Sequence, residues 1–281
     1  MRTAFVVLTY NRSDALLAVL RSLAPQCGPD DRVLIADDGS RPEQVAMLRA
    51  GLPAFPCPVH HIWHPDVGFT AARSRNLGAS QAQTDYLVFL DGDCVPNRGF
   101  VAHHLALAQP GHFVNGSRVL LSERLTRRAI KGEIDLTQLT AVQWLRLRLA
   151  GDVNKLTHLL YCPAAPGRVQ TGFRWKGIRS CNFGIWYGDF QAVNGFDESF
   201  SGWGHEDADL VLRLQHHGSR RKNGFLATEV FHLWHREDSR AGAAGNRERV
   251  VQRMRGNLVR AERGLAELSG APPPIVTLLN E

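Results

Sequence analysis

Four short apolar runs, each halted by a polar turn and separated by helical spacing, limit what this chain can become. They are Ala4-Phe5-Val6-Val7-Leu8, Val33-Leu34-Ile35-Ala36, Val59–Trp63 and Tyr86-Leu87-Val88-Phe89-Leu90. Continuous apolar runs of this length suit strands covered on both faces. Ser13 reads as an N-cap ahead of the helical spacing Leu16, Leu17, Leu20, Leu23, and residues 42–52 and 69–82 read as two further helices. Such alternation predicts an α/β fold with a mostly parallel, Rossmann-like sheet flanked by helices. Ligands of such sheets bind beyond the carboxyl ends of the strands. Thr9-Tyr10-Asn11-Arg12, Asp37-Asp38-Gly39 and Asp91-Gly92-Asp93 all follow strands, so three polar patches are expected along one edge.

The second half is less regular. Residues 99–109 read as a helix, 113–119 as a strand, and 121–150 as a basic helical stretch. Residues 151–176 read as irregular, 180–186 as a strand, 206–217 as a helix closed by Gly218, and 226–232 as a last strand. Residues 242–245 read as a hinge and 247–268 as a basic amphipathic helix that packs on the core, pairs with another subunit or lies on an anionic membrane surface. Pro272-Pro273-Pro274 reads as the start of a tail.

Composition narrows the function classes. A chain of 281 residues with 44% apolar and 21% charged residues is an ordinary globular protein. No apolar stretch reaches the roughly 18–20 residues of a membrane span, and the first strand is too short for a secretory h-region. A cytoplasmic protein is expected, with membrane association on the cytoplasmic face left open. Five cysteines without metal-clip spacing argue against a disulfide framework. The net charge of +6 is spread rather than blocked and has no interleaved aromatics, so nucleic acid is not an expected partner. His60, His61, His64, His103, His104, His216 and His217 read as surface residues.

The remaining motifs carry chemistry. Asp91-Gly92-Asp93 offers hard oxygen ligands where Mg²⁺ or Mn²⁺ could share them with a diphosphate. Asp37 and Asp38 suit ribose hydroxyls or a base edge. Arg75 suits a diphosphate, and Asn76 suits a buttress to the acidic loops. The helix dipole accounts for one or two acids of Glu206-Asp207-Ala208-Asp209, but not for the preceding Gly202-Trp203-Gly204, a loop with an apolar platform for a sugar ring. A carboxylate there can deprotonate a hydroxyl. His232 and His235, three residues apart, suit metal ligation. Together these predict transfer of a sugar from a nucleotide donor.

Thr9-Tyr10-Asn11-Arg12, Asp37-Asp38-Gly39-Ser40, Arg75-Asn76-Leu77-Gly78 and Asp91-Gly92-Asp93 resemble the family 2 inverting glycosyltransferases of GT-A fold. The segment from Asn194-Gly195-Phe196-Asp197-Glu198 through Gly202-Trp203-Gly204-His205-Glu206-Asp207-Ala208-Asp209 resembles the C-terminal motif of β-1,4-galactosyltransferases and bacterial chondroitin-type polymerases. The likeness covers roughly residues 3–120 and 178–236. It implies a small second sheet and a UDP-sugar donor whose diphosphate is held through Mn²⁺ or Mg²⁺. By this likeness Asp93 and His235 ligate the metal, and His232 stands where the galactosyltransferases carry methionine. Asp91 touches the ribose or metal shell, and Asp38 the uridine side. Asp207 is the catalytic base with Glu206 beside it, and Trp203 and Gly204 line the acceptor site. Residues 1–120 would bind nucleotide, 121–240 acceptor, and 241–281 would form a C-terminal helix and tail. The acceptor remains open among a glycan, a lipid-linked glycan, a peptide and a small molecule. Two alternatives remain: a nucleotidyltransferase, and a silent nucleotide- or sugar-binding module.

Overall fold

The computed structural model describes residues 1–200, 202–236, 242–270 and 272–280. Strands β1 (Thr3–Thr9), β2 (Arg32–Asp37), β3 (Val59–Trp63) and β4 (Tyr86–Asp91) pair in parallel, order β3-β2-β1-β4. Between them run α1 (Ser13–Leu23), α2 (Pro42–Gly51) and α3 (Ala71–Ser80). The buried faces of these strands form two core clusters, one against α1 and one against α3. Arg12, not Ser13, caps α1; the Ser13 hydroxyl instead donates to the Gln44 carbonyl at 2.8 Å, joining α1 to α2.

Beyond β4 the sheet becomes mixed. β5 (Cys94–Pro96), α4 (Phe100–Leu107), β6 (His112–Asn115) and β7 (Ser117–Leu120) follow in the chain. The single strand expected over 113–119 is split at Gly116, where a Cβ would meet the Asn182 side chain at 2.1 Å; this close approach lets β6 and β7 enter different sheets. The helix expected over 121–150 is two helices, α5 (Glu123–Ile130) and α6 (Ala141–Leu149), interrupted by Gly132 at positive φ. β8 (Val169–Gln170), β9 (Asn182–Trp186), α7 (Tyr187–Ala192), α8 (Glu206–His216), β10 (Arg220–Asn223) and β11 (Glu229–His232) complete this half. β9 runs antiparallel to β4 and β6, while β5, β11 and β7 form a small second sheet.

The C-terminal segment differs most from expectation. α9 (Ala243–Arg253) ends well before residue 268, and β12 (Ile275–Leu278) pairs antiparallel with β3 as the edge strand of the nine-stranded sheet. The prolines therefore precede a strand rather than a free tail. Val250 is buried, and Arg253 reaches Asp209 Oδ1 at 2.6 Å and Asp197 Oδ2 at 2.9 Å. Core contact thus takes up much of the helix that was a candidate for membrane or subunit contact. The boundary expected at 240/241 lies outside the described residues.

Several histidines expected at the surface are interior. His61 hydrogen-bonds Asp37 at 2.7 Å, His64 meets Ser74 at 2.8 Å, and His104 meets Asn182 at 2.8 Å. Burial lowers the His104 pKa to about 4, which keeps this imidazole neutral. The five cysteines are free thiols.

Gly184 on β9 lies where Tyr86 and His104 converge; a Cβ there would come within 2.3 Å of the Tyr86 Oη and 2.8 Å of the His104 Nδ1. Overpacking a rigid core costs about 1–3 kcal/mol. Gly184→Ala is expected to lower the urea midpoint by a corresponding amount, and an unchanged midpoint would refute this account of the glycine.

Candidate active site

Strand pairing brings the polar patches to one edge. Thr9 pairs with Asp37 and Leu8 with Asp91, so Tyr10, Asp38 and Asp93 leave the sheet on the same side. The Gly92 N–H donates to the Leu8 carbonyl at 2.7 Å, and a Cβ at Gly92 would stand 2.8 Å from that oxygen. Glycine allows this approach and so fixes the turn between the two acids.

The two acids serve different partners. Asp91 accepts from Arg75 at 2.9 Å. Asp93 faces the end of β11: its Oδ2 lies 3.3 Å from His235 Nε2 and 3.8 Å from His232 Nε2. The Leu233 N–H, donating to the Asp93 carbonyl at 2.8 Å, holds the strand end in place. His235 Nδ1 lies 2.9 Å from the Arg236 carbonyl. The Arg236 carbonyl thus occupies Nδ1 and leaves Nε2 as the ring nitrogen that faces Asp93. Burial lowers the His232 pKa against the opposing pull of Asp93, which favours the neutral imidazole that a metal requires. The Cys94 sulfur falls in the same cluster, with the ligand atoms of Asp93, Cys94 and His232 within 4.8 Å of one another. Burial, together with Cys181, pushes its pKa far up, so Cys94 remains a thiol. One carboxylate and two imidazoles fit a divalent cation such as Mn²⁺.

Arg75 does not face solvent. It is 3% exposed, and its second nitrogen reaches Glu206 at 3.3 Å, so one guanidinium joins Asp91 to the start of α8. Burial first, then Asp207, raises the Glu206 pKa to about 7, with Arg75 opposing. Asp207 forms no ion pair among the described residues. Its carboxylate accepts from the Ala208 N–H at 2.7 Å. Burial, with Asp91 adding to it, raises its pKa against the pull of this N–H group and of Arg75. Asp209 is instead structural, with Arg213 at 2.7 Å and Arg253 at 2.6 Å. The preceding loop has positive φ at Gly202, Gly204 and His205. The Gly204 carbonyl accepts from Asn246 of α9 at 3.0 Å, and Trp203 is 40% exposed. Ser201 lies outside the described residues.

Other expected donor-site residues have protein partners. Asp37 accepts from the Ser40 N–H at 2.8 Å as well as facing His61. Asp38 accepts from the Thr70 N–H at 2.9 Å and from the Ser74 hydroxyl at 2.6 Å, fixing the start of α3. Thr9 is buried. Asn11 accepts from the Arg41 N–H at 2.9 Å, and Arg12 pairs with Asp14 at 3.0 Å. Tyr10 is exposed and donates to Asp66 at 2.8 Å. Asn76 does buttress, though at a different place: it donates to the Phe196 carbonyl at 2.8 Å and to Glu198 at 3.1 Å.

Two arginines were missed. Arg118 on β7 lies across from Val230, and Arg179 directly precedes Ser180. Burial opposes the Arg118 charge, but Cys181, Cys94, Asp91 and Asp93 outweigh it and raise its pKa. Burial, with Arg118 adding to it, lowers that of Arg179. Neither forms an ion pair among the described residues. Only strand pairing reveals them; no motif surrounds them.

Comparison with known proteins accords with this geometry. Residues 4–160 match the model of Glycosyl transferase family 2, and residues 167–239 match that described as N-terminal domain of galactosyltransferase. Validoxylamine A glucosyltransferase of Streptomyces hygroscopicus subsp. limoneus is 28% identical over 223 residues, which cover 76% of this chain and 48% of that protein. Chondroitin synthase of Escherichia coli is 25% identical over 237 residues, 76% of this chain and 32% of that protein. The chain thus spans about half or less of the length of these relatives. In fold it is similar to S. aureus TarS 1-349 in complex with UDP-GlcNAc, with a TM-score of 0.62 and 13% identity over 95% of this chain and 68% of the other. The sheet topology is that of a GT-A glycosyltransferase, and the chain belongs to glycosyltransferase family 2.

Proposed function

We propose that this glycosyltransferase is inverting and metal-dependent and moves a hexose or N-acetylhexosamine from a UDP-sugar to an acceptor hydroxyl in bacterial glycan or glycoconjugate synthesis. The observation that carries this reading is a division of labour among carboxylates: Asp93 faces two imidazoles, Asp91 and Glu206 share Arg75, and Asp207 has no ion pair among the described residues. Asp93, His235 and His232 hold the divalent cation, which supplies charge neutralisation to the departing diphosphate. Arg118 adds a fixed positive charge beside Asp91 and Asp93. Asp207 takes the proton of the acceptor hydroxyl as it attacks the anomeric carbon from the face opposite the leaving group. The Ala208 N–H aims its carboxylate, and Trp203 offers a face for the sugar. Residues 1–120 bind nucleotide and 121–240 acceptor in this reading. The uncommitted carboxylate and the preformed cation site favour it over a silent binding module. Release of UDP from a panel of UDP-sugars, with and without Mn²⁺, tests it; no release from any of them would overturn it.

Asp207→Asn is expected to lower kcat by about 10²–10⁴ while UDP affinity stays within twofold, the signature of a lost general base. Wild-type turnover in this variant would remove Asp207 from the role. His235→Ala and Asp93→Ala are expected to abolish the Mn²⁺ dependence of UDP binding by calorimetry; a wild-type metal titration would refute the ligand assignment. The raised Asp207 pKa has a signed consequence. Only the ionised carboxylate accepts a proton, so kcat falls as pH drops through that raised value. The acidic limb of the kcat–pH profile is therefore expected above the ordinary aspartate range, and a profile flat down to that range would contradict it.

A further inference from the structure

α6 is an inverted helix. Its Thr140–Gln143 capping box makes it well formed, and Trp144, 2% exposed, anchors it by stacking on Phe231 at 4.8 Å and meeting His158 at 4.2 Å. At 100° per residue the side opposite Trp144 carries Val142, Leu145 and Leu149. These are 59%, 49% and 80% exposed. Leu159 and Leu160, exposed as well, follow from the short turn whose His158 touches Trp144. Arg146 and Arg148 are exposed on the same helix and form no ion pair among the described residues. Arg124 and Arg127 of α5 are mostly exposed too, each paired with a carboxylate, Asp152 and Glu123, so the uncompensated charge is that of Arg146 and Arg148.

We propose that α6 docks this protein on an anionic membrane surface, its Val142–Leu145–Leu149 face entering the headgroup boundary and Arg146 and Arg148 contacting lipid phosphates. An apolar stripe flanked by arginines is the composition of a helix that lies in the bilayer interface, where the arginine stems lie along apolar surface while their heads reach phosphate. Charge selects this occupant over a second copy of the chain. A chain of net charge +6 would bring Arg146 and Arg148 against cations of its own kind, whereas anionic headgroups neutralise them. The surface is rigid: the Leu120 N–H donates to Asn154 Oδ1 at 2.9 Å, and Leu121 bridges Val153, so the chain leaving α6 is stitched to β7.

Flotation of the purified chain with vesicles of phosphatidylcholine, with and without phosphatidylglycerol, tests this. The wild type is expected to float with the anionic vesicles only. Arg146→Gln/Arg148→Gln is expected to weaken partitioning by about thirty-fold, the combined effect of two cations near such a surface. Leu145→Ser/Leu149→Ser is expected to weaken it at least as much. All four positions are exposed, so an unchanged urea midpoint is expected for each variant and would show that it is folded. Failure of the wild type to bind anionic vesicles, or unchanged binding by both variants, would overturn the proposal. So would a wild-type dimer in light scattering that Leu145→Ser/Leu149→Ser converts to monomer, since a second copy would then cover the face.

Discussion

The guanidinium of Arg75 lies buried between two carboxylates from distant parts of the chain, Asp91 at the end of β4 and Glu206 at the start of α8. A buried cation must be paired, and a buried acid tolerates its charge only beside one. Removing one member of such a group typically costs about 3–5 kcal/mol, because the others are left uncompensated. This bridge therefore does more than hold two elements together. It occupies Asp91 and Glu206 and leaves Asp93 and Asp207 outside it.

Further ties hold the two halves in register. Asn76, one residue along α3, grips Phe196 and Glu198. Asp209, on the helix that carries Asp207, is locked by Arg213 and by Arg253 of α9. Asn246 of the same helix holds the Gly204 carbonyl. Positioning a catalytic group to a fraction of an ångström requires such supporting contacts. α9 supplies some of them, which is why Asn246 and Arg253 are buried beside Val250.

A basic amphipathic surface does exist, on a different helix from the one whose spacing first suggested it. Residues 247–268 carry the periodic pattern, yet much of that apolar side meets core. α6 has apolar residues on nearly all sides, and only the burial of Trp144 reveals which of them face out. Periodicity reports that a helix has two faces; it does not report which face the rest of the molecule covers.

Much of the fold was legible because its signals are local. Short apolar runs, helical spacings and turn residues marked β1 to β4 and α1 to α3 closely, and the polar turns after β1, β2 and β4 marked one edge of the sheet. Asp93, His232 and His235 were legible as a candidate ligand set because carboxylate and imidazole together suit a divalent cation. What the sequence alone determined was therefore the set of elements and the chemical types gathered at their ends. The tertiary structure decided which of those groups remain available. Asp37 and Asp38 turn to His61, Thr70 and Ser74, Arg75 turns to Asp91 and Glu206, and Asp207 has no ion pair among the described residues. The prolines lead into β12, and Gly116 divides one apolar run between two sheets. The reason is physical: propensity and periodicity act within a few residues, whereas burial of a charge must be compensated by whatever the fold brings alongside it, however far along the chain that partner lies.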